Sequence, residues 1–142
     1  GAFVREVSKL DPEAKVFQSA CPLLVPLVEA GEENSPAAEY FLKQYLKPLL
    51  AEDIDTLILG CTHYGFLEQA IREIVGSGVH IVSESRIIGE KLREYLVRHP
   101  ERERMLGKNG ARTFYSTDIT ENFEKLGKRF FGEKIVVEKV NL

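Results

Sequence analysis

The segment Thr56-Leu57-Ile58-Leu59 runs straight into Gly60-Cys61-Thr62-His63-Tyr64-Gly65, and a stretch with Leu67, Ala70, Ile71 and Ile74 on one side follows. A short apolar run closed by glycine reads as a strand buried on both faces. The three-and-four spacing after it reads as a helix. The same order recurs along the chain. Val79–Val82 is a second strand after Gly76-Ser77-Gly78, followed by a helix from about Ser85 to Arg98. Thr113–Ser116 is a third strand, with Asp118 as a cap and a helix over Ile119–Phe131 that turns Phe123, Leu126 and Phe130 inward. Lys134–Val140 is the last strand. This alternation predicts an α/β fold: a mostly parallel sheet flanked by helices on both faces.

The first 50 residues are less regular. Ala2–Leu10 reads as a helix stopped by Asp11-Pro12, and Lys15–Ser19 as a short strand. Ala20–Val28 is apolar but holds Pro22 and Pro26, which argue against a central strand. Ser35-Pro36 starts a helix, a hydroxyl to cap and a proline at the first turn, with Ala38, Phe41, Leu42, Tyr45, Leu46 and Leu49 at helical spacing. Pro48 is expected to kink or end it. Residues 101–112 read as a short charged helix or a loop.

Composition narrows the function. With 44% apolar residues the 142-residue chain has enough to bury for an ordered core. No apolar run reaches the roughly 18 residues of a membrane helix, and no signal-peptide pattern opens the chain. The net charge of −3 gives no general pull toward nucleic acid or anionic membrane. Residues 1–71 hold 5 Lys/Arg against 11 Asp/Glu and residues 72–142 hold 14 against 11, but the basic half alternates in sign, as a solvated face does. Two cysteines 40 residues apart make no disulfide framework and favour a reducing, cytoplasmic setting. The chain starts at Gly1 and its only methionine is Met105, which raises the expectation of a processed chain or a piece of a longer one.

In parallel α/β sheets ligands bind beyond the carboxyl ends of strands, which singles out the loop after Leu59. Cys61 there lies just ahead of an expected helix start near Phe66, whose free N–H groups favour a thiolate. His63 can exchange a proton with a bound group, Thr62 offers a hydroxyl and an N–H, and Gly60 and Gly65 permit close approach to the backbone. Spacing alone fits equally well a packed cysteine at a strand end beside a hydrogen-bonded histidine. Cys21 reads as a packed, inert thiol. His80 and His99 read as structural or solvated, and Glu29 by composition as a solvated carboxylate before a turn. Cys21, Cys61 and His63 lack zinc-site spacing, so no metal is expected. No phosphate-cradling glycine loop is present.

Leu57-Ile58-Leu59-Gly60-Cys61-Thr62-His63-Tyr64 closely resembles the second cysteine motif of bacterial glutamate racemases. Ala20-Cys21-Pro22-Leu23-Leu24-Val25-Pro26-Leu27-Val28-Glu29 resembles a segment upstream of it in that family. His99-Pro100-Glu101 through Thr113-Phe114-Tyr115-Ser116-Thr117-Asp118 resembles their tail. The resemblance spans nearly the whole chain. It implies cofactor-independent interconversion of L- and D-glutamate in the cytoplasm, supplying D-glutamate for peptidoglycan and so serving cell-wall biogenesis and cell shape. Inverting a carbon centre through a planar carbanion needs a proton removed from one face and returned to the other, and the family uses two thiols. By resemblance Cys61 is the thiol that takes the α-proton of L-glutamate, His63 assists it, Thr62 binds substrate, and Glu29 is an acidic residue near the site.

The family's Asp-Ser-Gly segment and its first catalytic cysteine, followed by Asn-Thr, have no match here. The resemblance therefore implies the C-terminal portion only. Residues 1–88 would be a second lobe carrying Cys61, and residues 89–142 would pack on an absent first lobe. The expected partners are glutamate and the N-terminal half of the same protein, with no nucleic acid and no membrane, and with room for a homodimer. Gly65 stands where proline is usual, which should loosen the loop, and Ser83-Glu84-Ser85 stands where Asp-Ser is usual. Alternatives are a racemase for aspartate or a related amino acid and a non-catalytic α/β binding module, with a cysteine hydrolase last because it lacks a recognisable partner residue.

Overall fold

In the computed structural model, which describes residues 2–110, 112–132 and 135–141, Ser35 and Pro36 start a helix as their chemistry dictates. Ser35 Oγ accepts from the Ala38 N–H at 3.2 Å, and Pro36 occupies the first turn, where no intrahelical acceptor exists for an N–H. The helix runs over Pro36–Leu50 and buries Ala38, Leu42 and Leu46. Pro48 does not cut it short; the helix ends two residues later, so only the last turn lacks a bond.

Before it come α1, Ala2–Leu10, and α2, Leu24–Ala30; Pro36–Leu50 is α3. The helix α2 forms where Pro22 and Pro26 left the sequence without an element. Pro26 is its third residue, among the N–H positions that stay unpaired in any helix, so the ring costs no bond. Gly31 ends it at φ 87°, with its N–H on the carbonyls of Leu27 and Val28. The strand expected over Lys15–Ser19 does not form, and no described strand pairs with that segment.

Strands β1, Thr56–Leu59, and β2, His80–Ser83, pair in parallel with Leu57 opposite Ile81 and Leu59 opposite Ser83. Between them lie a 3₁₀ turn, Thr62–Leu67, and α4, Glu68–Val75. Leu57, Leu59, Ile81 and Ser83 are buried, whereas Thr56, Ile58 and His80 are exposed, Ile58 by 46%. The expectation that β1 is buried on both faces is therefore corrected. Its apolar composition is that of a doubly covered strand, but the core formed with Leu24, Val28, Leu42, Leu46, Leu67 and Ile71 occupies one face only.

The helix α5, Glu84–Arg98, leads onward, and the boundary between two compact units falls within it, after Lys91. The second unit holds α6, Pro100–Met105, strand β3, Phe114–Ser116, helix α7, Glu121–Phe131, and strand β4, Val137–Lys139. The strands β3 and β4 are parallel, Phe114 opposite Val137. Thr120, not Asp118, caps α7, its Oγ1 accepting from the Phe123 N–H at 3.2 Å. Asp118 instead closes a turn through Ser116 Oγ. Leu126 and Phe130 are half-buried, but Phe123 is exposed rather than inward. Gly127 leaves room for the buried Ile135, whose Cδ1 stands where a Cβ would be. Of the expected last strand, Lys134 lies outside the described residues. Both pairings are parallel and helices flank the strands, which is the expected α/β class.

Candidate active site

Cys61 extends β1 by its backbone, at φ −151° and ψ 137°, and the chain then coils at once into the 3₁₀ turn. The Tyr64 N–H closes that turn on the Cys61 carbonyl at 3.0 Å. The expected α-helix start near Phe66 is thus displaced: α4 begins at Glu68, and the segment directly after the thiol is 3₁₀. The coil brings His63 back over Cys61, with Nδ1 3.8 Å from Sγ. The other ring nitrogen, Nε2, is 3.4 Å from Glu29 Oε1, near the end of α2. One imidazole therefore faces a thiol on one side and a carboxylate on the other, an order in which a proton can pass between sulfur and ring while the carboxylate orients the ring. Glu29, which composition alone reads as solvated, is drawn into this group. Thr62, first residue of the turn, is exposed. Gly65 lies within the turn, and its carbonyl accepts from the Glu68 N–H, so the glycine does not break the coil.

One residue joins this group without a role assigned from sequence. The Tyr64 hydroxyl donates to the Cys21 carbonyl at 3.5 Å, linking the two cysteine-bearing segments. Burial, followed by the negative charges that Cys21 and Cys61 can carry, pushes the Tyr64 phenol up to about 12. Burial likewise raises the Cys21 thiol above its ordinary value, against hydrogen bonds with Ser19 and Tyr64 that lower it. The signal for Tyr64 was its place between His63 and Gly65, a polar-tipped aromatic in a turn beside a strand end.

Ser83, at the end of β2 opposite Leu59, is also buried. It hydrogen-bonds Glu68, which is desolvated yet held below the usual carboxylate range by that bond, by Arg72 at 3.1 Å and by Arg86 at 2.7 Å. The serine that departs from the usual Asp-Ser thus belongs to a local polar network. Phe3 of α1 packs its ring against Gly60. A polar groove between α3 and α4, lined by Ser35, Glu39, Lys43 and Glu73, holds neither thiol nor imidazole. His80 is exposed, and His99 pairs with Glu101 at 3.2 Å. Among the described residues no three His, Cys, Asp or Glu side chains are grouped to hold a metal ion. Among the same residues no helix is long and apolar enough to cross a membrane.

No protein-family model matches the chain. A glutamate racemase of Syntrophus aciditrophicus is 39% identical over 146 residues, covering 99% of this chain and 52% of the relative. A solved glutamate racemase isoform of Bacillus anthracis superposes with a TM-score of 0.81 at 35% identity, again over 99% of this chain and 52% of that one. Along nearly its whole length the chain is similar to one half of these glutamate racemases. A third glutamate racemase, from Francisella tularensis and solved in complex with D-glutamate, has a TM-score of 0.83 at 29% identity. The chain spans about half the length of the curated relatives it matches.

Proposed function

We propose that this chain supplies one of two catalytic thiols to a cofactor-independent glutamate racemase. Cys61 takes the α-proton from L-glutamate and returns one when the reaction runs toward L. His63 relays that proton, Glu29 orients the imidazole, and Thr62 binds the substrate at the mouth of the turn. The observation that carries the reading is the Glu29–His63–Cys61 line at the carboxyl end of a parallel strand. A planar carbanion needs a second acid on its opposite face, and Cys21 belongs to a different segment. The second thiol therefore comes from an N-terminal half. Residues 1–88 form the lobe that carries Cys61, and residues 89–142 pack on the lobe that this half provides. The resulting enzyme is cytoplasmic and supplies D-glutamate for peptidoglycan, and with it cell-wall biogenesis and cell shape; its assembly as a homodimer is part of the same reading.

The test is circular dichroism of L-glutamate with the 142-residue chain alone and with the chain co-expressed beside the N-terminal half of a related racemase. The expected outcome is negligible turnover alone, racemisation in the complemented protein, and loss of that activity in Cys61→Ser. Robust racemisation by the chain alone, or complemented activity that survives Cys61→Ser, sinks the reading. Proton exchange into L-aspartate in heavy water faster than into L-glutamate would move the substrate to aspartate.

A further inference from the structure

We propose that Tyr64 is a positioning residue for the Cys61 thiol, its hydroxyl tying the Cys61 loop to the backbone of the Cys21 turn. The inference rests on the reading of Cys61 and His63 given above and adds what holds them in place. In a 3₁₀ turn successive side chains leave about 120° apart, so neighbouring His63 and Tyr64 point to different sides of the coil. Each finds a different end of one segment. His63 meets Glu29 near the end of α2, and Tyr64 meets the Cys21 carbonyl just ahead of it. The body of α2 packs on the turn between these two points, with Val28 and Leu67 both buried. A turn held at one end can pivot; held at both, it fixes the azimuth of His63 over Cys61. The clamp spans 43 residues of sequence, so it is tertiary rather than local. A carbonyl acceptor also suits a phenol that stays protonated, because the bond needs the O–H.

The experiment measures iodoacetamide modification of each cysteine in the 142-residue chain, with Cys21 and Cys61 separated by peptide mass. The thiolate is the reacting species, and the adjoining imidazole is the group that takes its proton. In Tyr64→Phe, which removes one oxygen and keeps the ring, Cys61 is expected to react about three- to tenfold more slowly, while Cys21 reacts as fast as before or faster. Tyr64→Leu, which removes the ring as well, should slow Cys61 at least as much. A merely structural loosening would expose both thiols and raise both rates together, which overturns the proposal. So does a Cys61 rate within twofold of the parent in either variant. His63→Asn separates this inference from the one beneath it. If that variant leaves Cys61 unchanged, the thiol–imidazole reading itself fails. If it slows Cys61 while Tyr64→Phe does not, only the clamp fails.

Discussion

His63 Nε2 stands 3.4 Å from Glu29 Oε1, and the other nitrogen of the same ring stands 3.8 Å from Cys61 Sγ. The thiol and the imidazole share one turn, whereas the carboxylate comes from a segment more than 30 residues away. A carboxylate on the far side of an imidazole selects the tautomer on the near side and stabilises the ring when it takes up a proton. Glu29 is thus coupled to Cys61 through His63.

Glu29→Gln keeps the shape and loses the charge. The pair is partly exposed, the Glu29 side chain by 42%, so its loss should cost at most about 1 kcal/mol of stability. Racemisation by the complemented protein should fall by about tenfold to a hundredfold, less than the roughly 10²–10⁴-fold contributed by a proton-transferring group itself, because Glu29 acts through His63. Urea denaturation of the chain and optical rotation of glutamate give the two numbers. An unchanged turnover would place Glu29 outside the proton path.

The alternation along β1 makes a second test. Leu57 is buried and Ile58 is 46% exposed, so adjacent residues of similar size should respond differently. Leu57→Ala is expected to cost about 2–4 kcal/mol in urea denaturation of the chain, and Ile58→Thr, which keeps β-branching, within about 0.5 kcal/mol. Equal losses would mean that the face carrying Ile58 is covered in solution.

Local chemistry was readable in the sequence where it is self-contained. The Ser35 cap, the Pro36 start and the strand-to-turn passage at Gly60-Cys61 each need only a few neighbouring residues, and each forms. What depends on a distant partner was not readable. Lys15–Ser19 has a strand's residues but no described strand beside it, and pairing is what makes a strand. Pro26 looked like a breaker because the register of α2 was unknown; in its first turn the missing N–H costs nothing. Phe123 was placed inward on its spacing with Leu126 and Phe130, but it lies in the first turn of α7, just after the Thr120 cap, and is exposed. In the site, Cys61 and His63 share one turn and were legible together. Glu29 was legible only through the family resemblance, and Tyr64 only by its place in the turn, because its acceptor is a backbone carbonyl, which no sequence pattern marks.

Gly31 adopts φ 87° where it ends α2, two residues beyond Glu29. A Cβ is strained in that region, so Gly31→Ala should cost about 1 kcal/mol, measured by urea denaturation of the chain. The same change should weaken the Glu29–His63 contact, since it disturbs the helix end that carries the carboxylate. Slower iodoacetamide modification of Cys61 reports that coupling. A variant that is stabilised would show that the positive φ is not kept in solution.

Tyr64 gives a pH signature. Its phenol ordinarily ionises near 10 and is pushed up to about 12 in the fold, first by burial and then by the charges of Cys21 and Cys61. The fold therefore prefers the neutral phenol. Its contribution to stability is fully present below pH 10, where folded and unfolded chains are both protonated. Between 10 and 12 the unfolded chain has released a proton that the folded chain keeps, so stability falls as pH rises and the contribution is gone above the folded value. Urea denaturation at a series of pH values should show a steeper alkaline decline in the parent than in Tyr64→Phe. Absorbance near 295 nm should show one of the five tyrosines ionising late in the parent, and that late step should vanish in the variant. A late step that persists in Tyr64→Phe would assign the shielded phenol to another tyrosine and remove the support that it gives to the Cys21 contact.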